Sequence, residues 1–453
     1  MLAQAPETED KGGLPTESFS PMAFTDKFFR KLVLDAFSRA RRGELKLTMP
    51  GGSRRLFGGL GKELQAELTV LDDNFYRRCV LFGPIGFAEA YLAGEWETED
   101  LTRTLAWFVL NGDYLAGIKT HESRNAGAFD LLGTINRIGH ALRPNSKSKS
   151  RDNISEHYDL GNDFFKLWLD PTMTYSAAYF EPPNLTMEEA QRKKWDQLCK
   201  KLQLSSHDSV LEIGCGWGGF AIHAAKNYGC RVTAATISEE QFREAAARVE
   251  AAGVADLVEV IFCDYRDLAG RFDNIVSIEM LEAVGDRYAE TFFGKVSELL
   301  APRGLVGIQT ILCPDNQFPI LRDGVDFIQK HIFPGSLLLS MRRITEALNS
   351  TGDLNLLDYE DMTPFYARTL KEWREAFVKV LPEVKAQGYD EAFIRKWLYY
   401  LCYCEAGFGT RHIAVAQIIY TRPDNLDIHS HAYDLGHHRE RPIPQTHHTP
   451  TGS

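Results

Sequence analysis

The sequence predicts an α/β fold built on a mostly parallel, Rossmann-like sheet, with a small α+β domain ahead of it. Three observations carry this. A short apolar run, Val210-Leu-Glu-Ile213, ends in glycines at alternate positions (Gly214, Gly216, Gly218) and passes into a helical pattern. Further apolar runs of strand length follow at 230–235, 258–262, 272–278 and 305–310, separated by helical stretches; this alternation builds βαβ units and parallel sheets. Each run delivers polar residues at its carboxyl end, where open α/β sheets bind ligands.

The glycine turn narrows the ligand. Glycines let the backbone come close to a bound molecule, and the helix start offers unpaired N–H groups. A dinucleotide and S-adenosylmethionine both suit such a turn. A dinucleotide fold would end its second strand in Asp or Glu for the ribose hydroxyls. Here that strand runs into Thr236-Ile-Ser-Glu-Glu-Gln241, with hydroxyls and an amide instead. The third leads to Cys263-Asp264-Tyr265-Arg266-Asp267, an acidic loop able to receive an adenine amino group, and the fourth ends at Glu279-Met-Leu-Glu282. A methyltransferase using S-adenosylmethionine is the better reading, with an oxidoreductase as the outsider.

Composition removes other classes. A chain of 453 residues has room for two or three domains with substantial cores. Its net charge of −11 argues against a general nucleic-acid binder. The eight cysteines are scattered without zinc-type pairing, so they read as reduced thiols in a cytoplasmic protein with no metal site. No apolar run approaches the ~20 residues of a membrane span, which makes the expected protein soluble or peripheral.

In chain order, residues 1–21 are polar and read as disordered. An accessory α+β domain is expected over 22–140. It opens on Phe24, Phe28, Leu32 and Phe37 at near-helical spacing, with lysines and arginines between them. Such a helix either packs on its own domain or offers a basic amphipathic face to a bilayer. Strands are expected at 45–49 and 66–71, and helices at 87–92 and 101–110. Residues 141–152 form a polar, basic linker. The catalytic domain spans 153–423, where Tyr158, Tyr175 and Ser176 precede the sheet as a lid over a cofactor. The long insertion after the fifth strand, including Phe333-Pro-Gly335, is either a wall for an apolar substrate or an ordinary cap. A late strand at 413–420 closes the sheet. Residues 424–453, polar and holding six of the thirteen histidines, read as a disordered tail.

The order of these motifs resembles the cyclopropane-fatty-acyl-phospholipid synthase family, which includes the mycolic acid cyclopropane synthases. The resemblance rests on His157-Tyr-Asp-Leu-Gly-Asn162, Met173-Thr-Tyr-Ser176, Leu211-Glu-Ile-Gly-Cys-Gly-Trp-Gly-Gly219, Thr236-Ile-Ser-Glu-Glu-Gln241, Asp264-Tyr-Arg-Asp267, Phe333-Pro-Gly335 and Tyr403-Cys-Glu-Ala-Gly-Phe408. It implies a class I methyltransferase fold with a seven-stranded sheet, acting with S-adenosylmethionine on unsaturated acyl chains of phospholipids. The alkene attacks the sulfonium methyl, a carbocation forms, and loss of a proton closes a cyclopropane. The resemblance also implies a homodimer, peripheral at the inner face of the membrane.

Carried over by motif position, Tyr158, Tyr175, Ser176, Gly214, Gly216, Thr236 and Gln241 would hold the cofactor, with Asp264 and Tyr265 near its adenine. In the family a bicarbonate ion serves as base; Glu282, Tyr366 and the carbonyl of Ile278 match its pocket, and Gln309 stands where a His is usual. Ala177 replaces a usual Cys, and Ala283 a His that commonly follows the Glu. Gln309 can still supply N–H groups to an anion, whereas Ala177 offers only space. These departures leave open a weakened bicarbonate site, Glu282 acting through a water, or a methyl-branched or methylene product. Cys404 and Glu405 are expected behind the pocket, Glu405 paired with Arg411. A small-amine N-methyltransferase and a catalytically silent lipid binder are the remaining alternatives.

Overall fold

The computed structural model describes residues 24–115 and 160–423, with Asn425 and Ile428. Tyr158, the linker, residues 1–21, the expected tail apart from Asn425 and Ile428, and part of the accessory domain lie outside the described residues.

The N-terminal unit runs α1 (Phe24–Phe37), β1 (Arg42–Thr48), β2 (Arg54–Gly58), β3 (Leu60–Val70), α2 (Asn74–Leu92), β4 (Trp96–Glu97) and α3 (Leu101–Leu115), with sheet order β2-β1-β3-β4. Alternation in β1 sends Leu45 and Leu47 inward, as period-2 patterning requires. Two elements differ from expectation. Strand β2 is an edge strand with Phe57 alone buried, so it shows no alternation to read. Helix α2 starts at Asn74 rather than near 87, because it is two helices joined at a break where Gly83 (φ 56°) precedes Pro84; proline has no N–H for the preceding turn. Helix α1 buries Val33, Leu34 and Phe37 on its own domain and leaves Phe28 and Leu32 54% and 38% exposed.

The second sheet has seven strands: β5 (Ser209–Ile213), β6 (Arg231–Thr236), β7 (Val258–Phe262), β8 (Phe272–Ile278), β9 (Leu300–Leu312), β10 (Asn355–Asp361) and β11 (Ala414–Thr421), in the order β10-β11-β9-β8-β5-β6-β7. Strands β5 to β9 pair in parallel, and β11 inserts antiparallel between β9 and β10. The α/β class and the late strand itself are as expected, but β11 lies inside the sheet and β10 forms its edge. Strand β10 was hidden, since Leu356, Leu357 and Tyr359 lie exposed on a sheet edge.

Helices cover both faces: α4 (Asn162–Lys166), α5 (Met187–Lys201), α6 (Gly219–Tyr228), α7 (Glu239–Ala251), α8 (Leu281–Val284), α9 (Ala289–Leu299), α10 (Phe318–Asp323), α11 (Phe327–His331), α12 (Met341–Thr351), α13 (Thr363–Lys379), α14 (Leu381–Ala386) and α15 (Glu391–Gly409). The two units share one apolar core. Tyr91 of α2 meets Tyr399 of α15 with ring centroids 5.7 Å apart, and Arg395 donates to the carbonyls of Tyr91 and Trp96. Lys330 and Glu89 close the seam at 2.7 Å. The same core continues through Trp397 and Trp373 to Tyr366.

Candidate active site

The carboxyl ends of β5, β6 and β8 and the loop after β7 open into one cavity of about 390 Å³. The glycine turn lies at one end. Gly214, Gly216 and Gly218 hold φ angles of +83°, +53° and +81°, where a side chain is costly. The Ala235 carbonyl clamps the turn by accepting from Gly214 N and Cys215 N, each at 3.0 Å. Beside it Glu212 is buried, and its Oε2 has no partner among the described residues. Burial pushes its carboxyl well above the usual range. Thr236 Oγ1 donates to Gln241 Oε1 at 3.0 Å, and Ser238 caps α7 by accepting from Gln241 N. Asp264 lines the cavity, but its carboxylate is held by Arg266 at 2.8 and 2.6 Å.

Further in, the cavity meets two carboxylates. Glu279, the first residue after β8, has a φ of +49°, uncommon for any residue with a side chain. Its Oε1 accepts from Ala177 N and from Gln309 Nε2, both at 2.8 Å. The Tyr366 hydroxyl bonds the same carboxyl. Burial pushes the Glu279 carboxyl up, against the Lys194 charge and these donors. Glu282, one turn on, accepts at Oε1 from Thr310 Oγ1 at 3.0 Å and from Ile311 N, and its Oε2 is unpartnered among the described residues. Burial, and then the negative charge of Glu279, push it up to about 7.

Lys194 lies beneath, wholly buried on α5, its Nζ donating to Ser176 Oγ at 2.7 Å. Burial pushes its ammonium down to about 7, opposed by Glu279, Asp170 and Glu212. A buried cation among three acids is a charge-balancing element rather than a surface lysine turned inward.

The structure brings most of the expected residues to this cavity: Tyr175, Ser176, Gly214, Gly216, Thr236, Gln241, Asp264, Tyr265, Ile278, Glu282, Tyr366 and Cys404 all line it. Gln309 is fully buried behind it. Its amide donates to Glu279 and to the Ala177 carbonyl (3.3 Å), and its oxygen accepts from Gln417. Glu405 also stands back from the cavity. Its expected ion pair with Arg411 is corrected: Glu405 pairs with Arg374 at 2.8 Å on neighbouring α13, and Arg411 with Asp361. Sequence reasoning gave no role to Glu212, Glu279 or Lys194. The signal for Lys194 was its phase, in step with Ala190, Gln191 and Leu198 on the buried face of α5.

The chain that carries this cavity resembles known proteins. The family description for mycolic acid cyclopropane synthetase matches residues 145–418. The chain belongs to that family. A tuberculostearic acid methyltransferase of Mycobacterium tuberculosis is 39% identical over 363 residues, covering 76% of this chain and 80% of that protein. The cyclopropane-fatty-acyl-phospholipid synthase of Escherichia coli is 37% identical over 360 residues, 79% of this chain and 88% of that protein. Among solved structures, the cyclopropane synthase MmaA2 of M. tuberculosis superposes with a TM-score of 0.56 at 31% identity, covering 60% of this chain and 98% of that one. The mycolic acid cyclopropane synthase CmaA1, solved with S-adenosylhomocysteine and CTAB, matches equally well (TM-score 0.56, 30% identity, 60% and 98% covered).

As a family member the protein is a methyltransferase dependent on S-adenosylmethionine, and its own residues fit that molecule. The orphaned Glu212 oxygen beside the turn suits an ammonium group. The Thr236 hydroxyl and the Gln241 amide suit ribose hydroxyls, and the Tyr265 ring suits adenine. A methyl group at Gly214 would lie 2.7 Å from Met280 Cγ. Gly214→Ala is therefore expected to weaken S-adenosylmethionine binding by about tenfold or more, from ~1–2 kcal/mol of backbone strain plus displacement of Met280. Calorimetric titration checks this; an unchanged affinity would mean that the turn does not meet the cofactor.

Among the described residues no helix is long and apolar enough to cross a membrane.

Proposed function

We propose that this enzyme adds a one-carbon unit from S-adenosylmethionine to the double bond of an unsaturated acyl chain in a phospholipid, forming a cyclopropane. The observation that carries this reading is the mixed lining of the cavity. Beside the polar strand ends and the buried acids it is bounded by Phe333, Leu337, Leu338, Tyr400 and Phe408, which are apolar or aromatic. A small amine needs no such wall, and a silent lipid binder needs no acid pair.

Bound S-adenosylmethionine supplies an electrophilic methyl on a cationic sulfur, which the alkene's electron pair can take to leave a cation on the acyl chain. The chain's own residues serve that cation in three ways. Tyr366 and Phe408, with ring centroids 4.4 Å apart, present aromatic faces that stabilise positive charge. The apolar wall keeps out water, which would trap the cation as an alcohol. The acid pair offers a place for the proton that must leave. Helix α1 supports access from a bilayer surface, since half-exposed Phe28 and Leu32 sit beside exposed Lys27 and Lys31.

Mass spectrometry of unsaturated phospholipid vesicles after incubation with enzyme and S-adenosylmethionine tests the reading. A gain of one CH2 that resists hydrogenation is expected. A gain that hydrogenation converts to a methyl branch would replace the ring with a methylene or methylated alkene. No gain on any unsaturated lipid would refute the lipid substrate.

A further inference from the structure

We infer that the enzyme carries its own general base: Glu279, held by Ala177, Gln309 and Tyr366 at the cavity wall, takes the proton lost from the substrate cation, and no dissolved anion is needed. This rests on the alkene reading above and deepens it.

The geometry is that of an anion site filled from within. Donors on three separate segments converge on one carboxyl group: a backbone N–H before α5, the Gln309 amide on β9 and the Tyr366 hydroxyl on α13. Two of them meet on the same oxygen, Oε1. Donors so arranged favour the ionised form. Beneath them the Lys194 charge acts in the same direction. The backbone at Glu279 sits in the left-handed region at φ +49°, a conformation that glycine adopts freely. Strain retained at a cavity wall, where relaxation to glycine is one substitution away, marks a side chain held for what it does.

Glu282 is the weaker candidate. Its Oε1 is engaged by the Thr310 hydroxyl and the Ile311 backbone N–H, and no cation supports it. Of two neighbouring carboxyls, the one with more donors and a nearby ammonium keeps the charge, and the other keeps the proton.

The step balances. In the cation the transferred carbon is a methyl group beside the electron-poor carbon. One C–H pair of that methyl becomes the new C–C bond that closes the ring, and its proton passes to the Glu279 carboxylate. The proton later leaves to solvent, so each turnover releases one.

The experiment uses the full chain in buffer stripped of carbon dioxide, with vesicles as above, beside Glu279→Gly. Wild type is expected to keep its rate without bicarbonate. Glu279→Gly, relaxed at this φ and therefore folded by thermal melting, is expected to lose about 10²-fold or more and to recover in part with added formate or bicarbonate. A binding arm runs without turnover: NMR of isotopically labelled bicarbonate should show it bound to Glu279→Gly and absent from wild type. The inference is overturned if wild type slows when bicarbonate is removed, if it binds the labelled ion, or if Glu279→Gly keeps its rate without any anion. Absence of product from wild type on every unsaturated lipid would instead refute the substrate, and the binding arm would still decide the occupant of the pocket.

Discussion

Replacing Glu279 by Gln is expected to slow product formation by about 10²–10⁴-fold, the usual contribution of a positioned base, with S-adenosylmethionine affinity essentially unchanged. The amide matches the carboxyl in size but takes no proton. It also places an NH2 group where Ala177 N and Gln309 Nε2 both need an acceptor, so its oxygen must turn to them and its NH2 must face the Tyr366 hydroxyl. Lys194 also loses the negative charge of Glu279, which favours its ammonium. Single-turnover rates on lipid vesicles, set beside calorimetric cofactor affinity, separate these effects. A variant within tenfold of wild type would remove Glu279 from the proton transfer. Weakened cofactor binding would mean that the residue supports the other end of the cavity.

Glu282→Gln is expected to act on stability and on pH dependence together. Burial and the Glu279 charge hold the Glu282 carboxyl up to about 7, against an unfolded value near 4.5. Between those values the folded protein holds a proton that the unfolded chain has lost. Raising the pH through this window therefore lowers stability, and the loss is complete above about pH 7. A shift of this size corresponds to roughly 3 kcal/mol. Glutamine stands in for the protonated acid at every pH, so the variant should lose this decline and melt higher than wild type at pH 8. Catalysis should move the other way. Ionised Glu282 adds negative charge beside a cationic intermediate, so wild-type turnover should rise with an apparent pKa near 7. The groups that set this value are the Glu279 carboxylate, which raises it together with burial, and the backbone N–H of Ile311 and the Thr310 hydroxyl, which lower it. The variant should stay flat at the acid-side rate. Parallel melting and rate profiles would check both halves, and matching profiles for the two proteins would refute the assignment.

The parts of the fold that could be read from sequence are those whose surroundings repeat. Strands β5, β6 and β8 are mostly buried runs inside the sheet, and the glycine turn follows from backbone geometry. Strands β2 and β10 were invisible because an edge strand with one buried side chain, or none, imposes no pattern. Lys193 and Lys194 are neighbours in sequence, one on the outer face of α5 and the other wholly buried, and only helical phase separates them. Glu279 stood in view at the end of the fourth strand, yet Glu282 drew the assignment by its match to the family pattern. What the sequence could not show was the left-handed backbone at 279, which brings that carboxyl under the donors of three distant segments. The Glu405 partner failed for a related reason. Arg374 lies on an adjacent helix, and nothing in local spacing distinguishes it from Arg411.

Tyr399 and Tyr400 are consecutive on α15 and meet different neighbours. Tyr399 stacks toward Tyr91 of the N-terminal unit, while the Tyr400 hydroxyl receives the bond from Tyr175 at the cavity, at 2.7 Å. The solved structure of MmaA2 matches 60% of this chain over 98% of its own length. In this protein the core of the N-terminal unit and the wall of the reaction chamber are joined through a single peptide bond of α15.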